Sequence, residues 1–225
     1  MQPKSSDAAS DRIACGTSES FAAWLAQAAG TIAISTYQAG KLAFVGWDGQ
    51  QVSLMMRHFD KPLGLAIDRQ RMALVTRHEL VFFANAPLLA HDYLEAEKGR
   101  YDALYLPRAS YYTGDLHAHD LAFSREGLIM VNTRFSCLAG LSKDFSFVPL
   151  WRPKFVTDLV PEDRCHLNGL AMRDGQPAWV TALGETDAAG AWRENKAQGG
   201  VLIDVASGEI VTRGLSMPHS PRLVD

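Results

Sequence analysis

This sequence repeats itself. Pro62-Leu63-Gly64-Leu65-Ala66-Ile67 precedes Met72-Ala73-Leu74-Val75-Thr76, His119-Asp120-Leu121-Ala122-Phe123 precedes Leu128-Ile129-Met130-Val131-Asn132, and His166-Leu167-Asn168-Gly169-Leu170-Ala171-Met172 precedes Ala178-Trp179-Val180-Thr181. A fourth start, Pro218-His219-Ser220-Pro221-Arg222-Leu223, follows. Aligned on Gly64, Asp120, Gly169 and Pro221, the starts lie 56, 49 and 52 residues apart. A period of about 50 residues built from short apolar strands is that of a β-propeller blade, a four-stranded sheet that cannot bury its faces alone. The fold expected is therefore all-β, a propeller of about four four-stranded blades in an incomplete ring.

The strands are bounded by local signals. Ser18 or Thr17 caps a short helix over 18–29, with Phe21, Trp24, Leu25 and Ala28 on one face and Gly30 ending it. Blades are expected from residue 31, after a disordered tail over 1–16. Trp47-Asp48-Gly49-Gln50 reads as a tight hairpin turn, because Asp-Gly supplies residues with φ > 0. Residues 86–116 interrupt the rhythm and read as an insertion followed by a tyrosine-rich outer strand. The last inner strand begins at Pro218 and the sequence stops within it, so residues 17–225 are expected to be a propeller domain truncated at its C-terminal end.

Bulk properties remove several function classes. A net charge of −3 creates no field to hold nucleic acid or an anionic membrane. No apolar run approaches the roughly 20 residues that cross a bilayer. The polar start lacks the apolar core of a signal peptide. Cys15, Cys137 and Cys165 form neither a metal spacing nor a disulfide framework, and read as idle thiols in a cytoplasmic protein.

In a propeller the residues just before each inner strand gather at one mouth of the central channel. The repeat thus brings together Leu63, His117, His119, Asp120, His166, Asn168, His219 and Ser220. His119, Asp120 and His166 are the candidate catalytic groups, since imidazole and carboxylate can exchange protons. His119 and Asn168 are the candidate ligands for a divalent metal, the one cofactor these donors admit. Asn132, Arg134, Asn168, His219, Arg222 and Tyr37 are the candidate ligand-binding residues, with Arg134 suited to an anion. The same residues could instead serve architecture, by bonding the backbone of a neighbouring blade. No helical HExxH, CxxC or nucleophile elbow is present.

Ser-Thr-Tyr-Gln-Ala-Gly-Lys-Leu (35–42), His-Asp-Leu-Ala-Phe (119–123), Val-Asn-Thr-Arg-Phe-Ser-Cys-Leu (131–138), His-Leu-Asn-Gly-Leu-Ala (166–171) and Met-Pro-His-Ser-Pro-Arg (217–222) resemble a bacterial conserved-hypothetical family of unknown function, over roughly residues 20–225. More distantly, Asn168-Gly169-Leu170-Ala171 resembles the calcium-dependent gluconolactonase and strictosidine-synthase-like six-bladed propellers. That resemblance implies a metal-binding role for Asn168. At the other ligand positions the chain has Leu63, His119 and Ser220 or Pro221 instead of the acidic residue, Asn and Asp of that group. Two functions are expected from these readings: binding of a small molecule or protein at the channel mouth, or a metal-assisted, lactonase-like hydrolase using His119, Asp120, His166 and Asn168.

Overall fold

Alternation along single strands decides how the sheets stack. In Arg71–Val75, Met72 and Leu74 face one way and Ala73 and Val75 the other, and all four are buried. In Gly127–Asn132, Leu128 and Met130 oppose Ile129 and Val131, again all buried. Successive side chains of a strand point to opposite faces, so a strand apolar on both faces must be covered on both.

The computed structural model describes residues 16–224; the tail expected over 1–16 and Cys15 therefore fall outside the described residues, apart from Gly16. Helix α1 (Glu19–Ala28) is followed by four antiparallel sheets in chain order. The first holds β1 (Ile32–Thr36), β2 (Lys41–Trp47) and β3 (Val52–His58). The second holds β4 (Leu65–Asp68), β5 (Arg71–Val75), β6 (Glu79–Asn85) and β7 (Tyr105–Tyr112). The third holds β8 (Ala118–Ser124), β9 (Gly127–Asn132), β10 (Cys137–Gly140) and β11 (Val148–Trp151). The fourth holds β12 (Leu167–Arg173), β13 (Gln176–Ala182), β14 (Gly200–Asp204) and β15 (Ile210–Leu215). The chain is an all-β propeller of blades with one helix of three turns or fewer at its N-terminal side.

Three separate cores lie between consecutive sheets. Leu42 meets Met72, Leu74, Val81 and Phe83 between blades one and two. Ala73, Val75 and Leu80 meet Leu121, Leu128 and Met130 between blades two and three. Ile129, Val131 and Leu138 meet Leu170, Val180 and Ile203 between blades three and four. Each fully buried Leu or Ile contributes roughly 1.5–3 kcal/mol, so every blade is held by its neighbours rather than by itself. The inner strands follow suit, with β4 packed on β8 and β8 on β12.

Blade one has three strands among the described residues, where four were expected. The turn over 37–40 joins Thr36 to Lys41 as the turn over 133–136 joins Asn132 to Cys137. By that correspondence β1, β2 and β3 are the second, third and fourth strands of a blade.

Two local readings change. The helix ends on Ala29, left-handed at φ 49°, rather than on Gly30. Only Leu25 of its apolar face is buried, while Trp24 is exposed and stacks on Phe21. At the β2–β3 turn only Gly49 has φ > 0, and Asp48 Oδ1 accepts from the amides of Gln50 and Gln51. The turn is therefore closed by the Asp48 side chain, not by two left-handed residues. The insertion carries a one-turn helix, α2 (Pro87–Ala90), before the outer strand β7. Among the described residues no helix is long and apolar enough to cross a membrane.

Candidate functional site

Each of the inner strands β4, β8 and β12 is preceded by a left-handed residue, Lys61 (φ 48°), His117 (49°) and His166 (50°), and Met217 (42°) takes the same conformation in the segment after β15. These lie 56, 49 and 51 residues apart. The backbone thus corrects the fourth alignment by one position, putting Ser220 rather than Pro221 in register with Gly64, Asp120 and Gly169. His219 then corresponds to His119, Asn168 and Leu63. Bulky residues pay on the order of 1 kcal/mol for this conformation, which at His117 and Met217 aims the residue's own carbonyl at the side chain two positions on.

That aim is used twice in the same way. His119 Nδ1 donates to the His117 carbonyl at 2.8 Å, and His219 Nδ1 donates to the Met217 carbonyl at 2.6 Å. A carbonyl can only accept, so in both rings Nδ1 is the donor. His119 Nδ1 also lies 2.8 Å from Thr133 Oγ1, whose hydroxyl donates onward to the Leu167 carbonyl at 2.6 Å. Burial holds His119 neutral, pushing its pKa down to about 4, with His166 as the next cause. Neutral imidazole is a base and a ligand; imidazolium is neither.

The other residues of the same register stitch blades together. The Gly64 amide donates to the Ala118 carbonyl at 3.1 Å, and a Cβ on Gly64 would lie 2.9 Å from that oxygen. A Cβ on Gly169 would lie 2.7 Å from the Ser220 amide nitrogen. Asp120 replaces contact with charge. Its Oδ1 accepts from the Leu121 amide and its Oδ2 from the Leu170 amide in the next blade, both at 3.0 Å. Arg222 then grips both oxygens, at 3.2 and 2.9 Å, and the Leu170 carbonyl at 3.0 Å. Asp120 is 5% exposed and its oxygens accept four hydrogen bonds, so it and Arg222 form an inter-blade clasp.

A second imidazole stands beside His119. The rings of His119 and His166 meet edge to face at 4.8 Å, and the His166 ring also lies 4.2 Å from the Trp192 ring. His166 Nδ1 donates to Asp163 at 2.9 Å, which leaves Nε2 as the free position here too. Asp163 is itself fixed by Trp192 Nε1 at 3.1 Å, Arg193 at 3.3 Å and its own amide on the Arg134 carbonyl. The sequence motifs pointed to neither Asp163, Trp192 nor Thr133. Asp163 carried one signal, since a carboxylate three residues before a histidine can reach its ring when the chain turns between them.

The rim is charged. Asp115 lies within ion-pair range of Arg134 (3.4 Å), His117 (3.2 Å) and Arg77 (3.9 Å). Arg134 is therefore already engaged, which weakens the expectation that it holds an anion. Tyr37 meets His117 edge to face at 6.5 Å and carries Lys61 over its ring. Asn132 is fully buried, its Oδ1 accepting from the Phe135 amide, so it shapes the β9–β10 turn below the mouth. Asn168 is 2% exposed, and its Nδ2 has no hydrogen-bond partner among the described residues. An unpartnered buried amide costs about 1–3 kcal/mol unless something else completes it.

The calcium implied by the distant resemblance does not fit these donors. Calcium takes six to eight oxygen ligands, whereas the residues in register here are imidazoles and one amide, and the nearby carboxylates of Asp163 and Asp115 are engaged by His166, Trp192 and Arg193 and by His117 and Arg134. Among the described residues no three His, Cys, Asp or Glu side chains gather closely enough to hold a metal ion. Cys137 and Cys165 are free and buried, and burial pushes both thiols up to about 12. They supply no nucleophile or metal ligand at ordinary pH.

The recurring mouth motifs lie within one family match that runs over residues 19–225. The chain belongs to DUF4915, a domain of unknown function. No curated protein matches this DUF4915 chain. Among solved structures it is similar to the Myxococcus xanthus glutaminyl cyclase, at 17% identity and a TM-score of 0.47, over 82% of this chain and 66% of that one. It is also similar to a Bacteroides thetaiotaomicron protein of unknown function, at 10% identity and a TM-score of 0.40, over 85% and 53% of the two chains. Citrobacter koseri AztD matches at 13% identity and a TM-score of 0.30, over 84% and 47%. The DUF4915 chain thus spans between about half and two thirds of the length of these proteins.

Proposed function

We propose that the channel mouth binds a small polar molecule, and that His119 is its principal contact. The observation that carries this reading is the His119 ring, half-buried and held neutral, with Nδ1 clamped and Nε2 left as an oriented acceptor. Asn168, one blade further round, adds a buried donor with no partner among the described residues. A ligand presenting a donor to His119 and an acceptor to Asn168, such as a hydroxyl or an amide, satisfies both. Small-molecule sites are commonly built this way, from a few fixed polar groups on a rigid scaffold. A protein partner reaching the same mouth with a polar side chain would meet the same groups. The buried free thiols support a cytoplasmic setting for this activity.

The test is retention. Purified chain is equilibrated with a fractionated extract of bacterial small molecules, washed, and the bound compounds identified by mass spectrometry. Wild type should retain a polar compound that His119→Ala and Asn168→Leu lose while keeping wild-type circular dichroism. Equal retention by wild type and both variants would remove the mouth as the site.

A further inference from the structure

We propose that His166, oriented by Asp163, is a general base that activates water against an acyl carbon bound at this mouth. The inference rests on the reading of the mouth as a small-molecule site and adds a reaction to it. Three features of His166 together set it apart from the other histidines of the chain. Its Nδ1 partner is a carboxylate at 2.9 and 3.0 Å, as at His91, but the His166 side chain is largely shielded where that of His91 is exposed. That carboxylate is held by donors from Trp192 and Arg193, so it cannot swing away. The ring itself packs against both His119 and Trp192, which with the Asp163 bond fixes where Nε2 stands. A carboxylate bound to Nδ1–H selects the tautomer with a basic Nε2 and stabilises the imidazolium formed when Nε2 takes a proton.

The step balances with water as the only co-reactant. Water's oxygen forms the new bond to the acyl carbon as its proton passes to His166 Nε2. The carbon–oxygen bond to the leaving alcohol then breaks, and the proton on Nε2 moves to the leaving oxygen. Ester and water give acid and alcohol, and His166 returns to its starting state. Neutral His119, 4.8 Å away, places no competing positive charge beside the imidazolium. Asp163 touches no reacting atom in this scheme and is a positioning residue. Substrates of this class are small carboxylic esters.

The probe is p-nitrophenyl acetate hydrolysis by the full chain, followed by nitrophenolate release across pH. The expected rate exceeds that of free imidazole at equal concentration. His166→Gln should lower it by about 10²-fold, the ordinary worth of a positioned base. Asp163→Asn should lower it comparably and displace the limb of the pH profile that reports the base, which a merely structural loss would leave in place. His91→Gln, a surface histidine, should change nothing. As a second measurement independent of any variant, brief diethyl pyrocarbonate treatment of wild type should carbethoxylate His166, with loss of hydrolysis in step. The proposal is overturned if the wild-type rate only equals that of free imidazole, if His166→Gln retains it, or if hydrolysis survives modification of His166. Ligand retention without hydrolysis would leave the binding reading standing and remove this one.

Discussion

Asp120 and Arg222 stand 102 residues apart in sequence and form a two-pronged ion pair, with contacts of 2.9 and 3.2 Å. The pair closes the inner strands of blades three and four against the segment that follows β15. Its two members are not equal, since Asp120 is buried whereas the Arg222 side chain is 56% exposed. Arg222→Ala leaves the carboxylate two amide donors and should cost about 1 kcal/mol. Asp120→Ala strips the Leu121 and Leu170 amides of their acceptor as well and should cost on the order of 3 kcal/mol. Urea unfolding of both variants checks the order; an Arg222 variant as destabilised as the Asp120 variant would refute it.

Gly64 is the other half of the suture. A methyl there meets the Ala118 backbone oxygen at 2.9 Å, and backbone cannot rotate away. Gly64→Ala should destabilise by roughly 1–3 kcal/mol through overpacking. A thermal melt no lower than wild type would show that blades two and three separate more easily than their hydrogen bond implies.

Acid should act through His119. Its pKa is lowered by burial from an ordinary 6.5 to about 4, so between those values the unfolded chain binds a proton that the folded chain refuses. Stability should therefore fall as pH drops from 6.5 towards 4, by up to about 3 kcal/mol from this group, with no further contribution below. His117, lowered in the same direction by burial, adds to the trend despite Asp115, while His166 and His219 lie near enough to influence His119. His119→Gln should flatten the slope of unfolding free energy against pH. An unchanged slope would mean that the ring is solvated.

Cys137 and Cys165 should resist a thiol reagent at pH 8 in the native state, because burial keeps both protonated far above that pH. Peptide mapping should find them labelled only after urea is added. Rapid native labelling of Cys165 would place an opening between blades three and four, where it packs beside Val131 and Leu138, and of Cys137 one between blades two and three.

The sequence by itself determined the architecture. A period of about 50 residues, with runs such as Met72-Ala73-Leu74-Val75 and Leu128-Ile129-Met130-Val131, could only be strands buried on both faces, hence stacked sheets. It also placed His119, His166 and Asn168 at the starts of inner strands. Only the tertiary structure decided what each of them does. Asp120 reads as a candidate catalytic carboxylate, and only the fold brings the Leu170 amide and Arg222 onto it. Asp163 reads as an ordinary loop residue until the left-handed His166 folds its ring back onto it. The register error of one at Pro221 has the same origin. Apolar pattern locates a strand, but the left-handed residue before it sets the phase, and a φ angle leaves no reliable trace in side-chain type when His, Lys and Met all adopt it. Burial periodicity is a local property written into each strand, whereas hydrogen-bond partnership joins residues up to 102 positions apart and exists only once the blades meet.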